Sequence, residues 1–166
     1  MTAQGLIASD LLEKAETLLS VCRARGAIVA TAESCTGGLI AAALTAIAGS
    51  SDVVDRGFVT YSNEAKSDML EVPPALIAAV GAVSDEVAAA MAAGAIKHSR
   101  ASIAVSVTGV AGPGGGSPDK PVGLVCFGLS RRDGATSTER RIFPGDRTDI
   151  RMATVAHAFA LIRAAL

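Results

Sequence analysis

The stretch Thr31-Ala32-Glu33-Ser34-Cys35-Thr36-Gly37-Gly38 puts an acid, a hydroxyl, a thiol, a second hydroxyl and two glycines side by side. Each type has its own chemistry. A serine becomes a nucleophile once a neighbouring base takes its proton. A thiol at a helix start is another candidate, because its pKa falls there. Glycines let a ligand approach the backbone closely. The apolar run Ala27-Ile28-Val29-Ala30 comes before this stretch and reads as a buried strand. Leu39-Ile40-Ala41-Ala42-Ala43-Leu44 comes after it and reads as part of a helix over about residues 35–48. The functional groups therefore fall on a strand-to-helix turn. There the first helical N–H groups lack intrahelical partners, and the helix dipole adds roughly half a positive charge. An anion or a developing oxyanion suits such a place. The competing reading is plainer: Ser34 or Thr36 simply caps the helix.

A serine nucleophile needs a base. His98 falls at a helix end and His157 inside the last helix, both in alanine-rich surroundings, so both are expected to be surface or packing residues. Lys66 is the better candidate, because a desolvated lysine loses its proton more easily and Ser–Lys pairs are a known nucleophile–base variant. It follows the polar cluster Thr60-Tyr61-Ser62-Asn63 at a predicted strand end, although a solvated helix charge is the usual fate of a lysine. The glycine-rich segment from Thr108 to Pro121 resembles a phosphate loop only in composition, since it has neither Gly-Lys-Ser/Thr nor Gly-x-Gly-x-x-Gly before a helix. Ligands of open α/β sheets bind beyond the carboxyl ends of the strands. On that rule the segments 33–38, 61–66 and 108–117 converge on one rim, with 145–151 facing them.

The elements that position these groups follow from periodicity. Residues 9–25 carry apolar side chains at three- and four-residue spacing, with Ser9 or Asp10 as cap and Gly26 as stop. Strands are predicted at 27–32, 53–61, 102–107, 122–129 and 136–143, the last two as a hairpin around Arg131-Arg132-Asp133-Gly134. Short helices begin at Ser62 and at Pro73-Pro74, a longer one at Ser84, and the last at Asp146, running to Leu166. The predicted fold is a three-layer α/β/α sandwich with a mixed β-sheet, a single domain over residues 1–166.

Composition narrows the function. The chain has 166 residues, 50% hydrophobic, with a net charge of −1, so it carries no basic footprint for nucleic acid. No apolar run approaches the roughly 20 residues of a bilayer span, so no membrane partner is expected. Met1 to Gly5 lacks the basic start and apolar core of a leader. Cys22, Cys35 and Cys126 have neither metal nor redox spacing, which predicts a reduced, cytoplasmic setting and no zinc. A homo-oligomer, most simply a two-fold dimer, is the default.

Several long motifs resemble the CinA C-terminal domain family: residues 31–38, Ile47 to Ser51, Arg56 to Lys66, Gly81 to Ser84, Ser106 to Ser117, Lys120 to Gly123 and Gly145-Asp146-Arg147. The resemblance spans nearly the whole chain. It implies an amidohydrolase that converts nicotinamide mononucleotide to nicotinate mononucleotide and ammonia, without cofactor or metal. Larger members carry an additional N-terminal pyrophosphatase domain, for which a chain of this length leaves no room. The resemblance implies Ser34 as nucleophile, Lys66 as general base and Tyr61 as a proton or orientation partner. The backbone of Cys35, Thr36, Gly37 and Gly38 would supply oxyanion donors. Glu33, Asn63, Thr108, Gly109, Gly112 and Arg147 would bind substrate, with Arg151 assisting one helical turn after Arg147. Two alternatives stand beside it. One is a non-catalytic nucleotide-binding or regulatory module; the other is a cysteine hydrolase built on Cys35.

Overall fold

The structure is a computed structural model describing residues 5–166. The leader reading rests on residues 1–4 and lies outside the described residues, apart from Gly5. The elements are α1 (Ser9–Arg25), β1 (Val29–Glu33), α2 (Leu39–Thr45), β2 (Val54–Val59), α3 (Asn63–Leu70), α4 (Pro74–Val80), α5 (Asp85–Lys97), β3 (Ile103–Gly109), β4 (Leu124–Arg131), β5 (Thr136–Ile142) and α6 (Arg147–Ala164). The five strands form one sheet in the order β2-β1-β3-β4-β5. β1 pairs parallel with β2 and with β3, while β4 runs antiparallel to both β3 and β5. The mixed sheet follows from the connections. Helices link the parallel strands, and a tight turn closes the β4–β5 hairpin.

Helices cover both faces. On one face Leu11, Leu18, Ile40, Leu44, Ile150 and Ile162 bring α1, α2 and α6 together over the sheet. On the other, Leu70, Ile77, Val87 and Met91 do the same for α3, α4 and α5. Small residues allow close approach. A Cβ on Gly94 of α5 would lie 2.1 Å from the Leu70 carbonyl oxygen, so only glycine lets α5 sit against the end of α3. That contact seats the helix carrying Lys66. Every residue of β1 is buried, as expected of a strand with a neighbour on each side and helices above and below. Among the described residues no helix is long and apolar enough to cross a membrane.

Several predicted boundaries move, each for a local reason. The cap position of α1 is Ala8, with no side-chain cap, so neither Ser9 nor Asp10 plays that role. Gly26 does end the helix in the left-handed conformation. Ala27 N donates to Cys22 O at 2.9 Å as part of that cap, so β1 starts at Val29 instead of Ala27. α2 begins only at Leu39, because residues 34–38 form a separate turn. α6 stops at Ala164. Thr108 and Gly109 finish β3, so the glycine-rich loop starts after them.

Candidate active site

Side chains alternate along a strand, and that alternation sorts the residues at the end of β1. Val29 faces the α1/α2/α6 layer, and Ala30 and Ala32 face the other. Glu33 has the parity of Val29 and reaches α2. Its carboxylate is fully buried and accepts from Thr36 Oγ1 at 2.6 Å, Ile40 N at 2.8 Å, Ala41 N at 3.0 Å and Thr31 Oγ1 at 3.5 Å. The anion at the start of α2 is therefore the chain's own. This corrects two sequence expectations. Glu33 does not line the cavity that holds Ser34, and the first N–H groups of α2 are not open to a ligand. Neither Ser34 nor Thr36 caps the helix, because Gly38 occupies the cap position and the Glu33 carboxylate does the capping.

Ser34 follows on the other side. Its N–H donates to Val107 O at 3.0 Å, tying it to the end of β3. The turn then closes with Gly37 N donating to Ser34 O at 3.0 Å. Gly37 (φ 59°) and Gly38 (φ 101°) adopt left-handed angles that other residues take up only under strain. Because Gly37 N–H is engaged within the turn, the remaining donors narrow to the N–H groups of Cys35, Thr36 and Gly38, which reach no backbone carbonyl among the described residues.

Lys66 comes to Ser34 from α3. Ser62 caps that helix by accepting from Ala65 N at 3.0 Å, and Lys66 lies one turn inside it. The side chain is 1% exposed. Its Nζ lies 3.1 Å from Ser34 Oγ, 2.9 Å from Thr60 O and 3.5 Å from Ser62 O. It forms no salt bridge among the described residues. Burial lowers its pKa from the ordinary 10.5, since a desolvated ammonium is disfavoured. A lysine in this state can accept the serine proton.

Cys35 also borders the cavity, but burial pushes its thiol up to about 12. The sequence expectation of an activated thiol is thereby corrected, because desolvation outweighs any effect of the turn. Neither histidine enters the site. His157 packs edge-on against Phe127, with ring centroids 4.8 Å apart, and shares a hydrogen bond with Glu139.

The cavity holds about 240 Å³. Tyr61, Asn63, Thr108, Gly109 and Arg147 border it together with Ser34 and Lys66, so the three predicted segments converge with the start of α6 facing them. Tyr61 is 63% exposed, and its hydroxyl accepts from Arg147 at 3.2 Å; that hydrogen bond goes to neither Ser34 nor Lys66. Arg147 also donates to Gly112 O at 2.9 Å and so spans the mouth. Gly112 takes part only through that carbonyl and is not on the cavity wall. Thr108 is buried and donates its hydroxyl proton to Ala82 O at 2.9 Å. Arg151 does not reach the cavity. It donates to Cys35 O at 3.2 Å and to Thr36 O at 2.9 Å. Sequence reasoning missed Ala82 and Val83 as wall residues, although Gly81-Ala82-Val83-Ser84 had stood out as a motif. It also missed the Thr60 and Ser62 carbonyls that hold Lys66, which no residue-type signal could have shown. A larger groove of about 660 Å³ between α1 and α6, floored by Leu18 and Phe159, contains no nucleophile–base pair. Among the described residues no three His, Cys, Asp or Glu side chains gather as a metal site.

A family model of the CinA C-terminal domain matches residues 11–166. This chain belongs to the CinA C-terminal domain family. It is 50% identical over 150 residues to the nicotinamide-nucleotide amidohydrolase PncC of Escherichia coli K12, covering 90% of this chain and 91% of that protein. It is 55% identical over 141 residues to a CinA-like protein of Mycolicibacterium gilvum, covering 85% of this chain but only 33% of that longer relative. The crystal structure of competence/damage inducible protein CihA from Agrobacterium tumefaciens superimposes with a TM-score of 0.92 at 51% identity, covering 97% of this chain and 98% of that one. In this CinA-family chain, then, the Ser–Lys contact lies on a fold shared with the relatives along nearly its whole length.

Proposed function

We propose that this chain is an amidohydrolase that cleaves the carboxamide of nicotinamide mononucleotide, giving nicotinate mononucleotide and ammonia. The observation that carries the proposal is the buried Lys66 Nζ at 3.1 Å from Ser34 Oγ, with no carboxylate among the described residues to hold it charged. Neutral Lys66 takes the Ser34 proton as Oγ bonds to the carboxamide carbon. The carbonyl oxygen becomes an oxyanion, which the free N–H groups of the turn stabilise. Lys66 then passes its proton to the amide nitrogen, the C–N bond breaks, and ammonia leaves. Water attacks the resulting Ser34 ester by the same steps, releasing the carboxylate and restoring both side chains. Lysine supplies the base, so these steps need no metal.

Size and charge support the substrate. About 240 Å³ is below the roughly 300–1,000 Å³ of sites enclosing whole drug-sized ligands. It suits the pyridine ring and part of the ribose, which leaves the phosphate at the mouth, where Arg147 spans from Tyr61 to Gly112. Three buried, unpaired thiols fit a reducing, cytoplasmic setting.

The test is ammonia release from nicotinamide mononucleotide, with and without chelator. Turnover that chelator leaves unchanged is the expected result. Phosphate-dependent binding without ammonia would instead identify a non-catalytic nucleotide-binding module. Arg147→Ala should lower kcat/KM for the mononucleotide by about 10–150-fold, equivalent to the roughly 1.5–3 kcal/mol of a hydrogen bond to a charged group. Nicotinamide riboside, which lacks the phosphate, should lose much less. An equal fall for both substrates would mean that Arg147 does not read the phosphate.

A further inference from the structure

Arg147 and Arg151 lie one turn apart on α6, yet only Arg147 borders the cavity. We infer that Arg151 is a positioning residue: it holds two consecutive carbonyls of the turn that carries the nucleophile and does not touch the substrate. The inference rests on the reading of Ser34 as the nucleophile.

The turn needs an external hold. It lies between the end of β1 and the start of α2, and two glycines in left-handed conformation complete it. Such residues have many accessible conformations, so their sequence alone fixes the local shape weakly. On its inner side the buried Glu33 carboxylate holds Thr36 Oγ1 and the first N–H groups of α2. On the other side Arg151 donates to the carbonyls of Cys35 and Thr36. A peptide unit is planar, with its N–H opposed to its C=O. Anchoring the Cys35 carbonyl therefore also sets the direction of Thr36 N–H, one of the donors left open for the oxyanion. The guanidinium is a rigid fork with donors in fixed directions, which matches two neighbouring acceptors; a lysine offers a single point charge. With Nε and Nη2 committed to this task, the guanidinium is held against the turn and away from the cavity wall.

The experiment compares Arg151→Met and Arg151→Lys with the wild-type chain in full steady-state kinetics on nicotinamide mononucleotide. Displacing a reacting group by about 1 Å can cost on the order of 100-fold. The methionine variant should therefore lose roughly 10–100-fold in kcat with KM nearly unchanged, and the lysine variant should fall between it and wild type. A loss appearing mainly in KM, or an unchanged kcat, would overturn the inference. If the methionine variant does not fold, the lysine variant decides by the same criterion. Hydrogen exchange of the segment 34–41 gives a readout that does not depend on turnover. It should speed up in the variants while the strands stay protected, and unchanged exchange would also overturn the inference. If wild-type protein releases no ammonia, the amidohydrolase reading fails, and the exchange experiment still decides whether Arg151 holds the turn.

Discussion

Two lysines, Lys66 and Lys97, lie on neighbouring helices in opposite surroundings. Lys97, near the end of α5, is exposed and pairs with Glu71, whose carboxyl the lysine holds below its usual range. Lys66, on α3, is buried against two backbone carbonyls and a serine hydroxyl, with no acid among the described residues to pair with. An exposed pair is screened by water and salt, and either charge is easily solvated without the other. A buried ammonium has no such refuge, so the chain favours its neutral form. On the proposed reading, the difference teaches that a lysine is made a base through what is kept away from it as much as through what it touches.

The sharpest way to break this comparison is to remove each amine. Lys66→Met should lower kcat on the order of 10³-fold or more, as loss of a nucleophile or its base does in hydrolases. Ser34→Ala should do the same, and the double variant should be little worse than either, because the two act as a unit. Lys97→Met should leave kcat within about twofold, as a surface change far from reacting groups does. Cys35→Ala should keep most of the activity, since its thiol stays protonated at working pH. If Cys35→Ala is inactive and Ser34→Ala active, the serine assignment falls.

The pH dependence separates the two lysines next. Only neutral Lys66 accepts the serine proton, so kcat/KM should rise with pH through a midpoint below 10.5 and level off above it. The effect on stability has the same origin. Between the lowered pKa and 10.5 the unfolded chain binds the proton that the folded chain has released, so stability gained through Lys66 rises with pH in that window. The melting temperature of wild type relative to Lys66→Met should therefore increase on going alkaline, and a flat rate profile would argue against lysine as the base. The smallest effect belongs to the surface pair. Glu71→Gln should change the melting temperature slightly at low salt, and the difference should shrink near 1 M salt, where the screening length falls to about 3 Å.

Much of this arrangement could be read in the sequence, and what could not has a common cause. The alternation of apolar runs with helical periods gave the three layers, and Gly26, Ser62, Ser84 and Asp146 marked helix ends correctly. Ser34 and Lys66 stood out because their types, at strand ends, suit a nucleophile and a base. Glu33 and Arg151 were misread because residue type cannot tell which way a side chain faces. Glu33 and Ser34 are consecutive, and strand parity sends them to different sides. One helical turn separates Arg147 from Arg151, and the five-residue turn at 34–38 gives the second arginine carbonyls to hold. The late start of α2 was equally hidden, since nothing local distinguishes a capped turn from a first helical turn when the cap is a carboxylate five residues upstream of Gly38.

α6 is a continuous rod of 18 residues, about 27 Å long at 1.5 Å per residue. Its first two turns carry both arginines, and its far half packs on α1. Such a rod moves as one piece, so a shift imposed at the α1 contact reaches the mouth and the 34–38 turn together. On the roles proposed for the two arginines, changes in packing far from the chemistry therefore shift affinity and turnover together through this helix. Only exchange of one arginine side chain separates the two, which makes the first two turns of α6 the place where a relative of this chain could change substrate without losing its reaction.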